Sequence, residues 1–324
     1  MSNLSGKKVL VTGGAGFIGS HLCEELVERK AEVVCLDDFS AGKMENVRFL
    51  MDHSNFHVVR KSVCDTDGMD ALFDGVDTVF HNAASKKNVC LINPQKDLTV
   101  NGGGTLNLLE YAVKHKIRKF VHASTGSVYG EPSIFPTDET HPLRPVSYYG
   151  VSKLAGERYV DVFHHLYGLN TTILRYFHVY GPRQESNEFG GVVSIFFRNI
   201  IEGKPLIVFG HGEQIRSFTW VKDLVQANLA AMDSEKAIGS VYNVASGIKV
   251  SINELAERLS KMFPNPVPIL HGEPLVGDIM RFDVSNERIT RELGVSFETD
   301  FWGTLGATVD QFVSYLESMA KSGK

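Results

Sequence analysis

The chain has 324 residues, a formal net charge of −5 and 43% hydrophobic residues. This is the balance of a soluble globular protein with a sizeable core and room for two lobes. The mild acidity gives no reason to expect nucleic acid or an anionic membrane as partner. No apolar run approaches the length of a membrane span, and Met1-Ser2-Asn3-Leu4-Ser5-Gly6-Lys7-Lys8 lacks the apolar centre of a signal peptide. A cytoplasmic location is therefore expected. Cys23, Cys35, Cys64 and Cys90 lie far apart with no C-x-x-C pair, so they read as reduced, partly buried thiols. No histidine falls in H-E-x-x-H or another ligand spacing, and no metal is expected.

In chain order, Val9-Leu10-Val11 reads as a buried parallel strand and runs straight into Gly13-Gly14-Ala15-Gly16-Phe17-Ile18-Gly19. Gly13, Gly16 and Gly19 are spaced G-x-x-G-x-x-G. The first permits a sharp turn, the second close approach of backbone to a pyrophosphate, and the third close packing of helix on strand. A helix from about Phe17 to Arg29 then points its free N–H groups and positive dipole end at that pyrophosphate. A second strand, Glu32 to Leu36, ends in Asp37-Asp38, where an acid is placed to bind the ribose hydroxyls of a dinucleotide. Asp37 would repel a 2′-phosphate, which favours NAD over NADP. The polar loop from Phe39 to Asn46, with Ser40 and Gly42, completes this end of the expected cofactor site.

Further strands are expected at Phe56 to Lys61, Asp77 to Asn82, Lys119 to Ser124 and Thr171 to Tyr176. Long helices are expected from Pro94 to Lys116, through Leu98, Leu106, Leu109 and Ala112, and from Tyr148 to Tyr167. Alternating strands and helices predict an α/β fold with a Rossmann-type, doubly wound parallel sheet. Ligands on such sheets bind beyond the carboxyl ends of the strands. After Tyr180 the character changes. Gly181-Pro182-Arg183 and Gly190-Gly191 break the pattern, and a helix from about Val192 to Glu202 follows. Short strands near 206–209 and 241–244, helices near 222–232 and 252–262, and a last long helix from roughly Thr304 to Ala320 complete the chain. The expected division is 1–178 plus roughly 217–246 for the dinucleotide domain, and roughly 179–216 plus 247–324 for a smaller substrate lobe.

Tyr149 and Lys153 form Y-x-x-x-K at the start of a helix, so both side chains share one face. A tyrosine with a pKa near ~10 is a poor base at neutral pH. A neighbouring ammonium stabilises the phenolate, and the cationic nicotinamide ring of NAD⁺ adds to that. Thr125, in Ala123-Ser124-Thr125-Gly126-Ser127-Val128-Tyr129-Gly130, could hydrogen-bond the same reacting hydroxyl. An exposed i,i+4 pair and a turn-capping hydroxyl are the structural alternatives.

Taken together, Thr12 to Gly19, Asn82-Ala83-Ala84, Asn101 with Gly104-Thr105, Ser124 to Gly130, Tyr149/Lys153 and Arg175 to Arg183 resemble the extended short-chain dehydrogenase/reductase family. More narrowly, the chain is similar to its NAD-dependent sugar-nucleotide epimerases and dehydratases. The resemblance implies bound NAD and a base, Tyr149, that deprotonates the sugar 4-hydroxyl with help from Thr125. Hydride passes from C4 to nicotinamide, the 4-keto sugar turns over, and hydride returns to the other face. Lys153 would hold the nicotinamide ribose. Phe17, Ile18, Asp65, Asn82, Ala83, Ala84, Lys86, Asn101 and Phe177 resemble further cofactor contacts. For the sugar nucleotide, the resemblance implies Arg216, in a G-x-G-x-x-x-R loop, and the helix start at Val192-Val193 as diphosphate contacts. Lys86, Ser127, His178, Asp278 and Arg281 stand near the same substrate. The family also implies a homodimer built from two long helices per subunit, here near 94–116 and 148–167.

Three departures matter. His178 stands where relatives commonly have Asn, so the diphosphate contact could be altered or pH-tuned. Leu275-Val276 replaces an arginine before Gly277-Asp278, a role Arg281 could fill. Lys86-Lys87 is unusually basic, suiting an acidic sugar or simply a solvated turn. Dehydratases usually follow the threonine with Asp-Glu and decarboxylases with a glutamate. Here Gly126-Ser127 occupies the turn, which favours C4 epimerisation of a UDP-hexose (glucose/galactose, N-acetyl or uronic). A dehydratase, reductase, 2-epimerase, decarboxylase or non-catalytic NAD-binding regulator is the alternative, and a regulator would be expected to have lost Tyr149, Lys153 or Thr125.

Overall fold

The computed structural model describes residues 3–85, 87–187, 190–275 and 278–322, with backbone alone for residues 87, 88, 316 and 318–322. Seven strands form one parallel sheet: β1 (Lys8–Thr12), β2 (Glu32–Asp37), β3 (Phe56–Arg60), β4 (Val76–His81), β5 (Lys119–Thr125), β6 (Thr171–Tyr176) and β7 (Ser240–Val244). Their order is β7-β6-β5-β4-β1-β2-β3, with every neighbouring pair parallel. The order reverses between β1 and β4, and a crevice opens there beyond the carboxyl ends of the strands. The apolar runs explain the central strands: Val9, Leu10 and Val11 are fully buried, and Phe120 and Val121 are buried beside them.

Between and after the strands run helices α1 (Phe17–Glu28), α2 (Pro94–Leu98), α3 (Thr105–Lys114), α4 (Tyr148–Tyr167), α5 (Val192–Ile201), α6 (Val221–Asp233), α7 (Ile252–Lys261), α8 (Phe301–Ala307) and α9 (Val309–Ser322), of which α5, α7, α8 and α9 build the lobe. The single helix expected from Pro94 to Lys116 is interrupted by a wide π turn, Thr99–Gly104, between α2 and α3. That turn ends in three glycines, and an added Cβ at Gly104 would lie 2.6 Å from Val63 Cγ2. The widened turn lets backbone sit directly on Val63. The last helix is likewise two. Asp300 caps the first by accepting from the Gly303 amide at 2.9 Å. At the break, Thr308 turns its hydroxyl back onto the carbonyls of Thr304 and Leu305, both at 3.0 Å. Three short helices, Met69–Phe73, Lys87–Ile92 and Glu287–Leu293, and a strand, Ile269–Gly272, carry no periodic signal long enough to announce them. The strand pairs in parallel with Leu206–Phe209.

The sheet half and the lobe have separate cores. Valines, leucines and alanines from β1, β2, α1 and α6 pack on one face of the sheet, joined by Ile289 and Val295 from the C-terminal third. The lobe core is aromatic: Phe197 stacks on Phe312 at 4.4 Å and Phe218 on Phe301 at 5.0 Å.

Candidate active site

The glycine loop after β1 owes its shape to contacts that exclude side chains. Gly13 has φ +64, and a Cβ there would lie 2.8 Å from the Ala83 amide nitrogen. A Cβ at Gly19 would collide with the Gly13 carbonyl oxygen, so helix α1 can approach β1 only with glycine at that position. Gly16 is the N-cap of α1 and leaves the helix amides facing the crevice. Asp37, at the end of β2, is nearly buried. Its carboxylate accepts from the amides of Ala15 and Phe39, both at 2.9 Å. Burial pushes its pKa up, those two amides pull it down, and Asp38 and Glu185 push it up again. Asp38 is the exposed member of the pair and closes a turn on Ser40.

These groups line a cleft of about 780 Å³. Gly13, Gly16, Phe17, Ile18 and Gly19 form its floor, and Asp37, Asp38, Phe39, Ser40 and Gly42 one end. Asn82, Ala83 and Ala84, after β4, form a wall, and Tyr149 and Lys153 reach in from α4. Three expected cofactor contacts stand elsewhere. Asp65 is exposed and turned back onto the Ser62 amide at 3.3 Å. Asn101 is buried behind the wall, its amide spent on Ser85 N (2.8 Å), Asp97 (3.1 Å) and Ser152 (2.9 Å). Phe177 is core, stacked on Tyr129 and edge-on to Phe282. Lys86, Val276 and Gly277 lie outside the described residues. The residue reading missed Lys61, Ser62 and Val63 after β3, and Gln184, Glu185 and Asn187 after the sixth strand. The rule that ligands meet strand ends pointed to the loop after β3, while residues 184–187 lie beyond a further short strand, Val179–Tyr180.

Ser147 caps α4 by accepting from the Gly150 amide at 3.1 Å, which sets Tyr149 in the first turn and Lys153 one turn on. Burial pushes the Tyr149 phenol up to about 12, with Asp97 adding to the rise and a hydrogen bond with Thr125 opposing it. Burial brings Lys153 down to about 8, against the pull of Glu157 and Asp97. Lys153 therefore keeps its proton at neutral pH, and Tyr149 needs further positive charge before it can act as a base. Thr125, at the end of β5, accepts from the Ser127 amide at 3.2 Å, and its hydroxyl lies 3.3 Å from Ser127 Oγ.

Behind this trio Glu157 is gripped by Arg175 through Nε (3.0 Å) and Nη2 (2.8 Å) and receives Ser124 Oγ at 2.5 Å. Arg175 also donates to Tyr129 Oη at 2.8 Å, which donates to Asn243 at 2.8 Å. The network ties α4 to β5, β6 and β7. A second chain runs from Ala83 N to Thr12 Oγ1, His81 Nδ1, His81 Nε2, Thr105 Oγ1 and Asn101 O, each step 2.6–3.1 Å. At Gly126 there is no space at all: an added Cβ would fall against the Phe177 ring.

On the lobe side, Arg216 is 7% exposed and donates to Asp278 at 2.6 Å and to the carbonyls of Ile279 (2.7 Å) and Ile215 (3.0 Å). Burial lowers its pKa, opposed by Asp278. Its guanidinium lies 5.8 Å from the Phe282 ring, and His178 packs edge-on to the same ring at 5.0 Å. Arg216, Asp278 and His178 are thus brought together around Phe282. His178 has φ +35. Arg281 is paired with Asp283 at 2.7 Å and stacked 4.2 Å from Phe135. Val193 is buried in the lobe core and Val192 packs against it, so their side chains serve the fold. Among the described residues, no group of three or more His, Cys, Asp or Glu could hold a metal, and no helix is long and apolar enough to cross a membrane.

The family model described as NAD dependent epimerase/dehydratase matches residues 9–245. UDP-glucose 4-epimerase of Mycolicibacterium smegmatis is 35% identical over 311 residues, covering 94% of this chain and 98% of that protein. The structure of UDP-glucose 4-epimerase with UDP-glucose from Thermotoga maritima superposes with a TM-score of 0.90 at 35% identity, covering 95% and 99% of the two chains. UDP-glucuronic acid 4-epimerase from Bacillus cereus, solved with UDP-glucuronic acid and NAD, gives 0.88 at 32% identity, covering 96% and 99%. The cofactor is NAD, and the glycine floor, the Asp37 end and the Lys153 wall are of the right kind to hold it. The chain belongs to the NAD dependent epimerase/dehydratase family.

Proposed function

We propose that this chain inverts C4 of a UDP-hexose, in glucose/galactose, N-acetyl or uronic form. The observation that carries the reading is the pair Tyr149 and Lys153 at one cleft, with Thr125 hydrogen-bonded to Tyr149, next to a turn that Phe177 closes to any side chain at position 126. The chemistry supplied by NAD, when bound, is reversible storage of the hydride from the sugar C4. Tyr149 takes the proton of the 4-hydroxyl and later returns it. Thr125 orients that hydroxyl, and Ser127 stands beside it. Lys153 keeps its ammonium next to the phenol and lowers the cost of the phenolate. Asp37 and Asp38 meet the adenosine ribose, while the loop from Gly13 to Gly19 and the α1 amides meet the pyrophosphate. Arg216 grips the sugar-nucleotide diphosphate, with Asp278 and His178 at its side and the α5 amides at Val192 and Val193 adding donors.

A 4,6-dehydratase or decarboxylase needs an additional acid or base near C5 or C6, and the turn after Thr125 has no room for one at position 126. In the same reading residues 1–178 with 217–246 carry the cofactor, the rest carries the sugar nucleotide, and the protein works in the cytoplasm. We also read it as a homodimer. Tyr148, Val151, Tyr159, Val162 and Leu166 expose an apolar stripe along α4, and Leu98 of α2 is exposed as well. Light scattering should give twice the chain mass for the wild type and the single mass for Val162→Glu/Leu166→Glu. A wild-type monomer would remove the dimer from the reading.

The deciding experiment is proton NMR of the purified protein with a panel of UDP-sugars in heavy water. Appearance of the C4 epimer without deuterium in the sugar supports internal hydride return and identifies the hexose. Loss of the 6-hydroxyl with deuterium entering at C5 or C6 would make the protein a dehydratase.

A further inference from the structure

One side chain behind the glycine loop joins parts of the molecule that the mechanism above leaves separate. Ala15, next to the Gly16 cap of α1, is fully buried. Its amide donates to Asp37 at 2.9 Å, and its carbonyl accepts from Asn46 Nδ2 at 2.8 Å and from the Lys43 amide at 2.9 Å. Asn46 is 1% exposed and ends a short helical turn, Met44–Asn46, in the loop that follows β2. Its amide therefore holds the glycine loop against the loop at the Asp37 end of the cleft. Arg183 braces the same point. It donates to the Asn46 carbonyl at 3.3 Å and to His21 Nδ1 at 2.5 Å, and it pairs with Glu24, both on α1. His21 Nε2 in turn donates to the Pro182 carbonyl at 2.9 Å.

A side-chain amide holds a carbonyl only when its nitrogen end faces it. At Asn46 the oxygen end is fixed from the lobe: Tyr315 Oη, on α9, donates to Oδ1 at 3.0 Å. Turned over, the amide would set its oxygen against the Ala15 carbonyl and lose both bonds. The hydroxyl comes from a well-anchored helix, since Phe312, three residues earlier, stacks on Phe197 of α5 at 4.4 Å. None of the described residues of α9 lines the cleft. Resting on the reading that the NAD pyrophosphate lies on the glycine loop, we propose that Tyr315 and Asn46 are positioning residues for the cofactor. The last helix of the lobe sets the Asn46 amide, and the amide sets the loop. NAD is met by the cleft residues already described, and α9 acts only on their frame. If the bond served merely to dock α9, its loss would loosen the helix and leave the hold on NAD unchanged.

The test is the rate at which bound NAD leaves the loaded protein, read by a coupled dehydrogenase that consumes it on release. Tyr315→Phe keeps the ring and loses the hydroxyl, and its release should be about tenfold faster than wild type. Asn46→Ala should release NAD at least as fast as Tyr315→Phe. The double variant should be no faster than Asn46→Ala alone, because the tyrosine acts through the amide. Wild-type release from Tyr315→Phe overturns the proposal, as do additive effects in the double variant. Asn46→Ser takes the place of Asn46→Ala if that variant does not fold, and if neither folds the Tyr315→Phe rate decides alone. Asp37→Ala tests the underlying reading separately. Unchanged NAD affinity in that variant would mean that the cofactor does not lie across this loop. Weakened affinity there, together with wild-type release from Tyr315→Phe, defeats the present proposal and leaves the cofactor reading standing.

Discussion

The sheet half and the lobe solve polar burial in opposite ways. Around the cofactor cleft several buried polar groups are tied to fixed partners, Thr12 to His81, His81 to Thr105 and Arg175 to Glu157, while Asn82 Nδ2, Ser85 Oγ and both His122 nitrogens have no hydrogen-bond partner among the described residues. In the lobe the core is stacked aromatic rings, and Arg216 is held by Asp278, a carboxylate that, in the proposed reading, an incoming diphosphate would replace. The contrast suits the two ligands. A cofactor that stays bound calls for a cleft formed before it arrives, and a substrate that must leave calls for an ion pair that exchanges.

Acid should expose the contrast most strongly. Burial depresses His21 and His81 to about 3, and His122 well below its usual value. All three lie in the sheet half. The unfolded chain takes up protons near pH 6.5 while the folded chain resists until about 3. Stability is therefore complete above pH 6.5 and lost progressively between 6.5 and 3. His21 and His81 each contribute roughly 1.4 kcal/mol per pH unit in that window, and His122 acts in the same direction. Urea melts at pH 7, 6 and 5 should show it, and a flat stability over that range would break the comparison.

Tyr149→Phe comes next. Turnover should fall by about a thousandfold, while NAD content, which the sheet half controls, stays at wild-type level. Loss of NAD together with activity would mean that the catalytic helix also shapes the cofactor site. Glu157→Gln then tests how firmly the sheet half is locked. It leaves the Arg175 guanidinium without its counter-charge in a fully buried setting and should cost about 3 kcal/mol in a urea melt. The smallest effect belongs to the lobe. Arg216→Lys keeps the charge and loses the planar fork, so KM should rise about tenfold with kcat and stability nearly unchanged. A stability loss as large as that of Glu157→Gln would show that Arg216 is as structural as Arg175, and the distinction between the halves would disappear.

What could be read from sequence depended on how local the cause was. The strands and the glycine loop were legible because each rests on a few adjacent residues, such as Val9 to Val11 followed by Gly13. The Tyr149/Lys153 pair was legible because one helical turn relates its members. Helix breaks were not: Thr99–Gly104 widens to seat on Val63, some forty residues away in sequence. Side-chain direction was less legible still. Asn101 matches its motif, yet it does not line the cleft, its amide being taken up by Ser85, Asp97 and Ser152 from three separate segments. Arg281 faced the same difficulty, since Asp283 and Phe135 decide where it lies. Gln184 and Glu185 were overlooked because they sit in a loop whose return to the cleft no short pattern records.

The packing of Phe177 against Gly126 bears on how this protein could change its chemistry. A new acid at position 126 is one codon away from glycine, but the ring already fills the space its Cβ would need. Phe177 is in turn wedged between Tyr129 and Phe282. Any route to elimination chemistry through that turn must first pass through a smaller residue at 177, which opens a hole in this aromatic cluster. The intermediate carries the stability loss before the new activity exists. Selection and protein engineers face the same order of steps, and a library that varies residue 126 alone should return only broken proteins.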